Sequence, residues 1–257
     1  MNGIRIEDRG AARWLILDRP ESRNALDPGS LPGLTEAIRG AGDARVLVIT
    51  GRNGAFSSGA DLRYATAAGP ELFEQLEGYL KNFQDLLRAL IDAPQPTVAV
   101  VDGPAYGFGC DLALACDLRV GSTRAYFQEG FVRIGLIPDG GGTWMLPRLV
   151  GLSKALELML LGDKLVAEEA QRLGLLARLT APEDLDAAAD EVVRRLCSGP
   201  PIAQRHIRRL AREGLSKDFA TAYDDEGRAQ LECLRSADCA EGVAAFFQKR
   251  APEFKGV

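Results

Sequence analysis

Over the first two thirds of the chain, short apolar runs alternate with stretches whose apolar residues recur at spacings of three and four. RWLILD (13–18), ARVLVITG (44–51) and TVAVVDG (97–103) are rich in β-branched and aliphatic residues and close on Asp or Gly, so each reads as a buried strand. RAYFQE (124–129) reads as a further strand. DPGSLPGLTEAIRGAG, between the first two strands, reads as a helix with Pro and Gly before it and Gly after. The longest helical pattern is 70–94: Leu72, Phe73, Leu76, Leu80, Phe83, Leu86, Leu87 and Leu90 make one apolar face, and Pro94 and Pro96 stop it. TVAVVDG feeds a Gly-rich turn and then a helix, GCDLALACD.

From about residue 145 the pattern is mostly helical, at 152–161, 167–173, 183–197, 201–213, 217–234 and 239–248. Strands with helices first and helices alone later predict an α/β body with a helical C-terminal part. SGPP (198–201) marks the boundary, giving a core domain over 1–198 and a helical region over 199–257. No repeat of fixed period and no low-complexity tract is present.

Composition narrows the function classes. A chain of 257 residues that is 46% hydrophobic has material for a real core. Its net charge of -5 argues against general nucleic-acid affinity. No apolar run spans a bilayer, and MNGIRIEDRG lacks the apolar centre of a signal peptide, so no membrane role is expected. The five cysteines, at 110, 116, 197, 233 and 239, are odd in number and lack paired short spacings. Neither a disulfide frame nor a metal site is implied, and a reduced, cytoplasmic setting fits. The only histidine, His206, sits in PIAQRHIRRLARE, a basic amphipathic helix. It reads, with Arg205, Arg208, Arg209 and Arg212, as a solvated face.

Two strands end in small-residue turns: VLVITG leads to AFSSGADL (55–62), and TVAVVDG to GPAYGFGCDLALACD (103–117). Glycine lets the backbone adopt positive φ and approach a ligand closely. Two such turns side by side could aim two N–H groups at one oxygen, as in an oxyanion hole; either turn alone reads more simply as a tight strand-to-helix connection, which is common in α/β proteins. Other motifs fail. GFGCDL has Leu112 where a dinucleotide fingerprint needs a small residue. AFSSG is a near miss for a nucleophile elbow at Ser57, and the one histidine lies far along the chain. IPDGGGTW (137–144) sets Asp139 before three glycines, which suits a turn or helix cap. It also suits a working acid whose glycines admit a substrate chain.

In this order the segments DRPESRNALD, GAFSSGADL, GPAYGFGCDLALACDLRV, YFQEGFVRIGLIPDGGGTWMLPRLVG and EGVAAFFQKRAPEFKG resemble the crotonase family, the enoyl-CoA hydratase and isomerase superfamily. The resemblance covers nearly the whole chain. It implies an α/β spiral of ββα units with a helical C-terminal region that builds homotrimers, often stacked as homohexamers. It implies an acyl-CoA thioester substrate, with CoA entering as part of that substrate and no other cofactor. It implies an oxyanion hole made by the backbone N–H groups of Ala60 and Phe108. Phe108 stands where a middle glycine is usual, and its ring is expected to crowd the acyl site. Arg23, Ala60, Asp61 and Leu62 match positions at the CoA end. Phe246 and Lys249 match positions that reach a neighbouring subunit's CoA.

Family hydratases hold water between two carboxylates. The first position falls on Asp111, where Glu is usual; the second falls on Phe131, so that pair is broken. Asp139 matches an acid used by several family isomerases. FVRIGLIPDGGGTWMLPRLVG is most similar to the phenylacetate-pathway enoyl-CoA isomerase branch, and the dienoyl-CoA isomerases also use acids at both kept positions. Asp139 and Asp111 are therefore the candidate acid–base residues, with Phe131, Phe127 and Trp144 as the apolar pocket that would raise a carboxyl pKa. Glu129 reads as a loop residue facing water, with a third acid of the site as the alternative. The aryl-CoA dehalogenase branch needs a His near the end of the long helix, and RALIDAPQP has none. Double-bond isomerisation is the expected activity; water addition to a 2-enoyl-CoA, or non-catalytic acyl-CoA binding, are the alternatives.

Overall fold

The computed structural model describes residues 3–63 and 72–257, with nothing said of the side chains of 72–75; Leu72 and Phe73, expected on the apolar helix face, therefore lie outside the described side chains. The strands are β1 (Ile4–Arg9), β2 (Ala12–Leu17), β3 (Val46–Gly51), β4 (Thr97–Val101), β5 (Pro104–Tyr106), β6 (Leu118–Ser122), β7 (Tyr126–Gln128), β8 (Leu165–Val166) and β9 (Arg178–Thr180). The large sheet runs β1-β2-β3-β4-β6-β9, and the small one β5-β7-β8. Only β1 and β2 pair antiparallel in the large sheet. Isolated bridges, Leu26 to Ala60 and Ser57 to Ala105, continue the small layer toward the N-terminus.

The helices are α1 (Leu31–Arg39), α2 (Leu72–Asp92), α3 (Phe108–Ala115), α4 (Gly142–Val150), α5 (Leu152–Leu161), α6 (Ala167–Arg172), α7 (Leu185–Cys197), α8 (Pro201–Gly214), α9 (Phe219–Arg235) and α10 (Ala237–Gln248). A turn of the spiral lays one strand in the large sheet, a shorter strand or bridge in the second layer, and then a helix.

The strands are apolar at successive positions because both sheet faces are covered. One face sends Leu15, Leu17, Leu47, Ile49, Ala99 and Val101 into the main core, against Leu34 and Ile38 of α1 and Phe83, Leu86, Leu87 and Leu90 of α2. Trp14, Ile16, Val46, Val48, Val98 and Val100 alternate with them and pack on Leu185, Ala189, Val192 and Val193 of α7. The apolar face of α2 is shorter than its sequence suggests, since Leu76 and Leu80 are exposed.

The basic helix α8 differs from the solvated face expected of it. Arg208 is buried, and its guanidinium donates to Asp117 Oδ2 at 2.6 Å and to the carbonyls of Leu90, Ile91 and Ala93 at the end of α2. Arg212 donates to Asp117 Oδ1 and to the Ala115 carbonyl, each at 2.7 Å. His206 is buried too, with Nε2 2.9 Å from a Glu232 carboxylate oxygen on α9. Only Arg205 and Arg209 point out, pairing with Glu232 and Glu213. The free carbonyls at two helix ends call for donors, and arginine forks supply them. Arg119 does the same inside the core, reaching Leu175 O at 2.6 Å and Cys116 O at 2.7 Å.

Asp117 joins the two parts of the chain. It accepts from Thr97 N and Oγ1 at the start of β4 as well as from α8. Burial works against its anion, and Arg208 and Arg212 outweigh that, holding its carboxyl below the usual range. Its contribution is therefore present above about pH 4 and fades as pH falls through the lowered value. Asp117→Ala leaves the largely enclosed Arg208 and the half-buried Arg212 with carbonyl acceptors but no counter-charge, and should lower unfolding stability by about 3 kcal/mol in urea titrations at neutral pH. The deficit should narrow in acid; a full-size deficit at pH ~2 would contradict this assignment.

Candidate active site

Two strand-to-helix turns meet at the edge of the small layer. Tyr106 N donates to Ser57 O at 3.0 Å, and Phe56 N and Ser57 N both donate to Pro104 O. The turns touch so closely that no side chain fits between them. A Cβ on Gly59 (φ +87°) would stand 2.6 Å from Tyr106 O, and one on Gly109 would stand 2.6 Å from Ser57 O. The segment 19–27 braces the first turn. Asn24 Nδ2 donates to Arg52 O and Ala55 O, Ser57 Oγ donates to Asn24 O, and Ser58 N donates to Arg23 O. Ser57, the near-miss nucleophile, is fully buried and spent on this brace.

The bracing orients two amides. Leu26 N donates to Gly59 O and Asp61 N to Leu26 O, so the intervening Ala60 N–H faces away from that bridge. Phe108 is the first residue of α3, after Gly107 at φ 54° and ψ -126°. Neither Ala60 N–H nor Phe108 N–H has a protein acceptor among the described residues. The Phe108 nitrogen lies 3.2 Å from the point a Gly59 Cβ would occupy, so the two donors sit on adjoining turns. The positive end of α3 adds to the field there. The Phe108 ring does not crowd this spot as expected. It turns inward, buried, with its centroid 4.3 Å from that of Phe83.

Three carboxyls gather beside the first turn of α3. Asp111 is fully buried; its Oδ2 accepts from Gly140 N at 3.0 Å, and its Oδ1 has no partner. Glu129 follows β7, whose last residue fixes it: Gln128 O accepts from Gly107 N at 2.8 Å. Contrary to its reading as a solvated loop residue, Glu129 is 2% exposed, and among the described residues no N–H or O–H group donates to its carboxylate, only the Cys110 thiol lying against it. Asp139 is half-buried with Oδ1 enclosed and unpartnered.

The glycines after Asp139 serve these acids. A Cβ on Gly140 would lie 2.6 Å from Asp111 Cβ; one on Gly142 would lie 2.4 Å from Asp111 Oδ1 and 3.0 Å from Glu129 Oε1. The missing side chains of Gly140 and Gly142 make room for the carboxyls. Gly141, at φ +87°, is the left-handed turn that starts α4.

Electrostatics follows from enclosure. Burial, then the nearby Glu129 charge, pushes the Asp111 carboxyl well above the usual range against the pull of the Gly140 amide. Burial pushes Glu129 to about 7; the Cys110 thiol opposes this and the Asp139 charge adds to it. Asp139 is raised by burial. Such a group of perturbed acids beside two unused amides can bind an oxyanion and move protons next to it.

The other expected site residues separate into two sets. Phe131 is buried, with Cζ 3.9 Å from the Gly107 Cβ position, so it walls this region. Phe127 belongs to the main core. Trp144 is 42% exposed, lies under the Arg148 guanidinium at 4.1 Å, and lines a separate cleft with Leu114, Arg148 and Leu215. It does not enclose the acids. Arg23 and Leu62 are exposed beside the braced turn. The Asp61 side chain is not free for a ligand. Arg63, through side chain and amide, and Arg19 behind it hold its carboxyl at about 2 against burial. Phe246 and Lys249 are exposed at the end of α10, and this chain alone does not bring them to the acids. Among the described residues, no cluster has a metal-binding arrangement and no helix is long and apolar enough to cross a membrane.

Comparison with known proteins identifies the family. Residues 11–257 match the family model described as enoyl-CoA hydratase/isomerase. A Rhodobacter capsulatus protein named "Probable enoyl-CoA hydratase" is 39% identical, over 98% of both chains. The 1,2-epoxyphenylacetyl-CoA isomerase of Escherichia coli is 34% identical, over 94% of both. The crystal structure of an enoyl-CoA hydratase from Bacillus anthracis superposes with a TM-score of 0.94 at 29% identity, covering all of both chains. Another, from Polaromonas sp. JS666, gives 0.92 at 31% identity over 98% of this chain and 99% of its own. With its crotonase fold, paired strand-to-helix turns and buried acids, the chain belongs to the enoyl-CoA hydratase/isomerase family of enzymes.

Proposed function

We propose that the protein is an acyl-CoA carbon–carbon double-bond isomerase that works through a thioester enolate. The observation that carries this reading is the enclosed, unpartnered Asp139 Oδ1 beside buried acids, on a site with two unused amides. In this mechanism Ala60 N–H and Phe108 N–H hold the thioester oxygen. The Asp139 carboxylate removes a proton from the carbon next to the carbonyl or conjugated with it. The C–H electron pair passes to the held oxygen, then returns to form the double bond one position along as a proton is given back. Asp111 is the second acid–base group. An aspartate in water is too weak a base for this step, and burial strengthens it. Phe131 in place of an acid supports the isomerase reading and supplies apolar wall. No metal or redox group enters the scheme, and CoA comes only with the substrate.

At the CoA end, Arg23, Leu62 and the Ala60–Asp61 backbone would line the approach to the amides. Asp61 would hold the turn through its arginines rather than touch the nucleotide. Exposed apolar residues on α5 and α10, among them Leu156, Leu160 and Phe246, support assembly into a homotrimer or homohexamer. Phe246 and Lys249 would then serve a neighbouring copy's thioester.

A second reading is water addition to a 2-enoyl-CoA, favoured by the shared approach of Asp111 and Glu129 to one point. Product analysis separates the two. Conversion of a 3-enoyl-CoA to its 2-enoyl isomer is expected; rapid hydration of crotonyl-CoA with no bond migration would defeat the isomerase assignment. Asp139→Asn should lower kcat by about a hundred- to ten-thousand-fold while thioester binding, measured by calorimetry, persists. Gly142→Ala puts a methyl into the space between two carboxyls. It should lower kcat/KM by roughly a hundredfold in steady-state assays of folded enzyme; near-normal turnover would mean that the cluster's spacing is irrelevant.

A further inference from the structure

Glu129 has no part in the mechanism above, yet it is more deeply enclosed than Asp139. Both of its oxygens are buried and accept from no N–H or O–H group among the described residues, the Cys110 thiol being the hydrogen-bonding neighbour; Asp111 Oδ1 is likewise without a partner. The two side chains converge: Asp111 Oδ1 and Glu129 Oε1 lie 2.4 and 3.0 Å from one point, the missing Cβ of Gly142. Among the described residues, no cation is one of the groups that perturb either carboxyl. Two carboxylates so placed cannot both stay ionised at low cost, and in the resting pair each carries its own proton.

We propose that Glu129 is the proton-sharing partner of Asp111, recharging it each time Asp111 delivers a proton to the substrate carbon. Resting on the isomerase reading, the inference adds the source of the returned proton. Asp139 takes a proton from one carbon, and that electron pair runs to the thioester oxygen. When the pair returns, the new C–H bond takes the proton of Asp111 Oδ1. Glu129 passes its proton to Asp111. Asp139 then loses its proton to water, and a proton from water restores Glu129. The substrate loses one proton and gains one, and no electrons leave it. Acting through Asp111, Glu129 is a positioning residue.

The test uses the full-length enzyme on a 3-enoyl-CoA between about pH 5 and pH 9. For wild type, kcat should show an inflection near 7, the value to which burial brings Glu129. Glu129→Gln keeps the shape and cannot pass a proton. It should lose roughly ten- to a hundredfold in kcat with KM nearly unchanged, and lose that inflection. Glu129→Asp keeps a titrating group and should restore part of both. Melting temperature gives a readout free of turnover. A carboxyl raised in the folded state favours folding below its unfolded value and loses that advantage as pH rises through the folded one. The Gln variant should therefore melt above wild type at about pH 8 and not at about pH 5. Normal wild-type isomerisation with an unaltered Gln profile, or melting curves that coincide at every pH, would overturn the role of Glu129 alone. A wild type that isomerises no 3-enoyl-CoA, with the melting difference present, would sink the functional reading instead.

Discussion

The site depends on two backbone turns being pressed together. The Tyr106 N to Ser57 O hydrogen bond and the bare faces of Gly59 and Gly109 bring two chain segments to within van der Waals contact. Only then do Ala60 N–H and Phe108 N–H stand on adjoining turns with no acceptor among the described residues. A side chain on either glycine would force the turns apart, and two amides apart are two weak donors rather than one hole. The brace around Asn24 and the salt bridges of Asp61 make sense as devices that keep this contact from relaxing.

The same economy of atoms governs the acids. Gly140 and Gly142 let α4 begin against Asp111 and Glu129, and the closeness costs the carboxyls their solvent. Loss of solvent raises all three: Asp111 is enclosed, Glu129 nearly so, Asp139 half-open. Raised acids at different depths can divide the work, one accepting protons and the others holding them. Fold and chemistry meet here, since the spiral delivers Asp111 from a helix, Glu129 from the end of β7 and Asp139 from the turn before α4.

Much of this was legible along the chain. The strands announced themselves because both faces of a largely parallel sheet are buried, which leaves unbroken apolar runs such as LVIT and TVAVV. The paired glycine turns and Asp139 were visible for a related reason: positive φ and close approach need glycine. What local pattern could not show was long-range partnership. Arg208 and Arg212 resemble any exposed basic pair until Asp117 and the end of α2 arrive from about a hundred residues away. Glu129 sits two residues before the position where an acid was sought, in a polar QEG that reads as loop. Its burial comes from the Gln128–Gly107 bond and from the space over Gly142. The glycine triplet was the available signal, though its spacing suggested room for a substrate.

The central claim is that the amides of Ala60 and Phe108 hold the thioester oxygen while Asp139 reaches the adjoining carbons. A crystal structure with a non-reactive acyl-CoA bound tests it most directly. The account requires the thioester oxygen at about 2.7–3.1 Å from both nitrogens, with Asp139 Oδ1 against the α- or γ-carbon. A thioester oxygen bound elsewhere, or an Asp139 side chain swung into solvent in that complex, would contradict it.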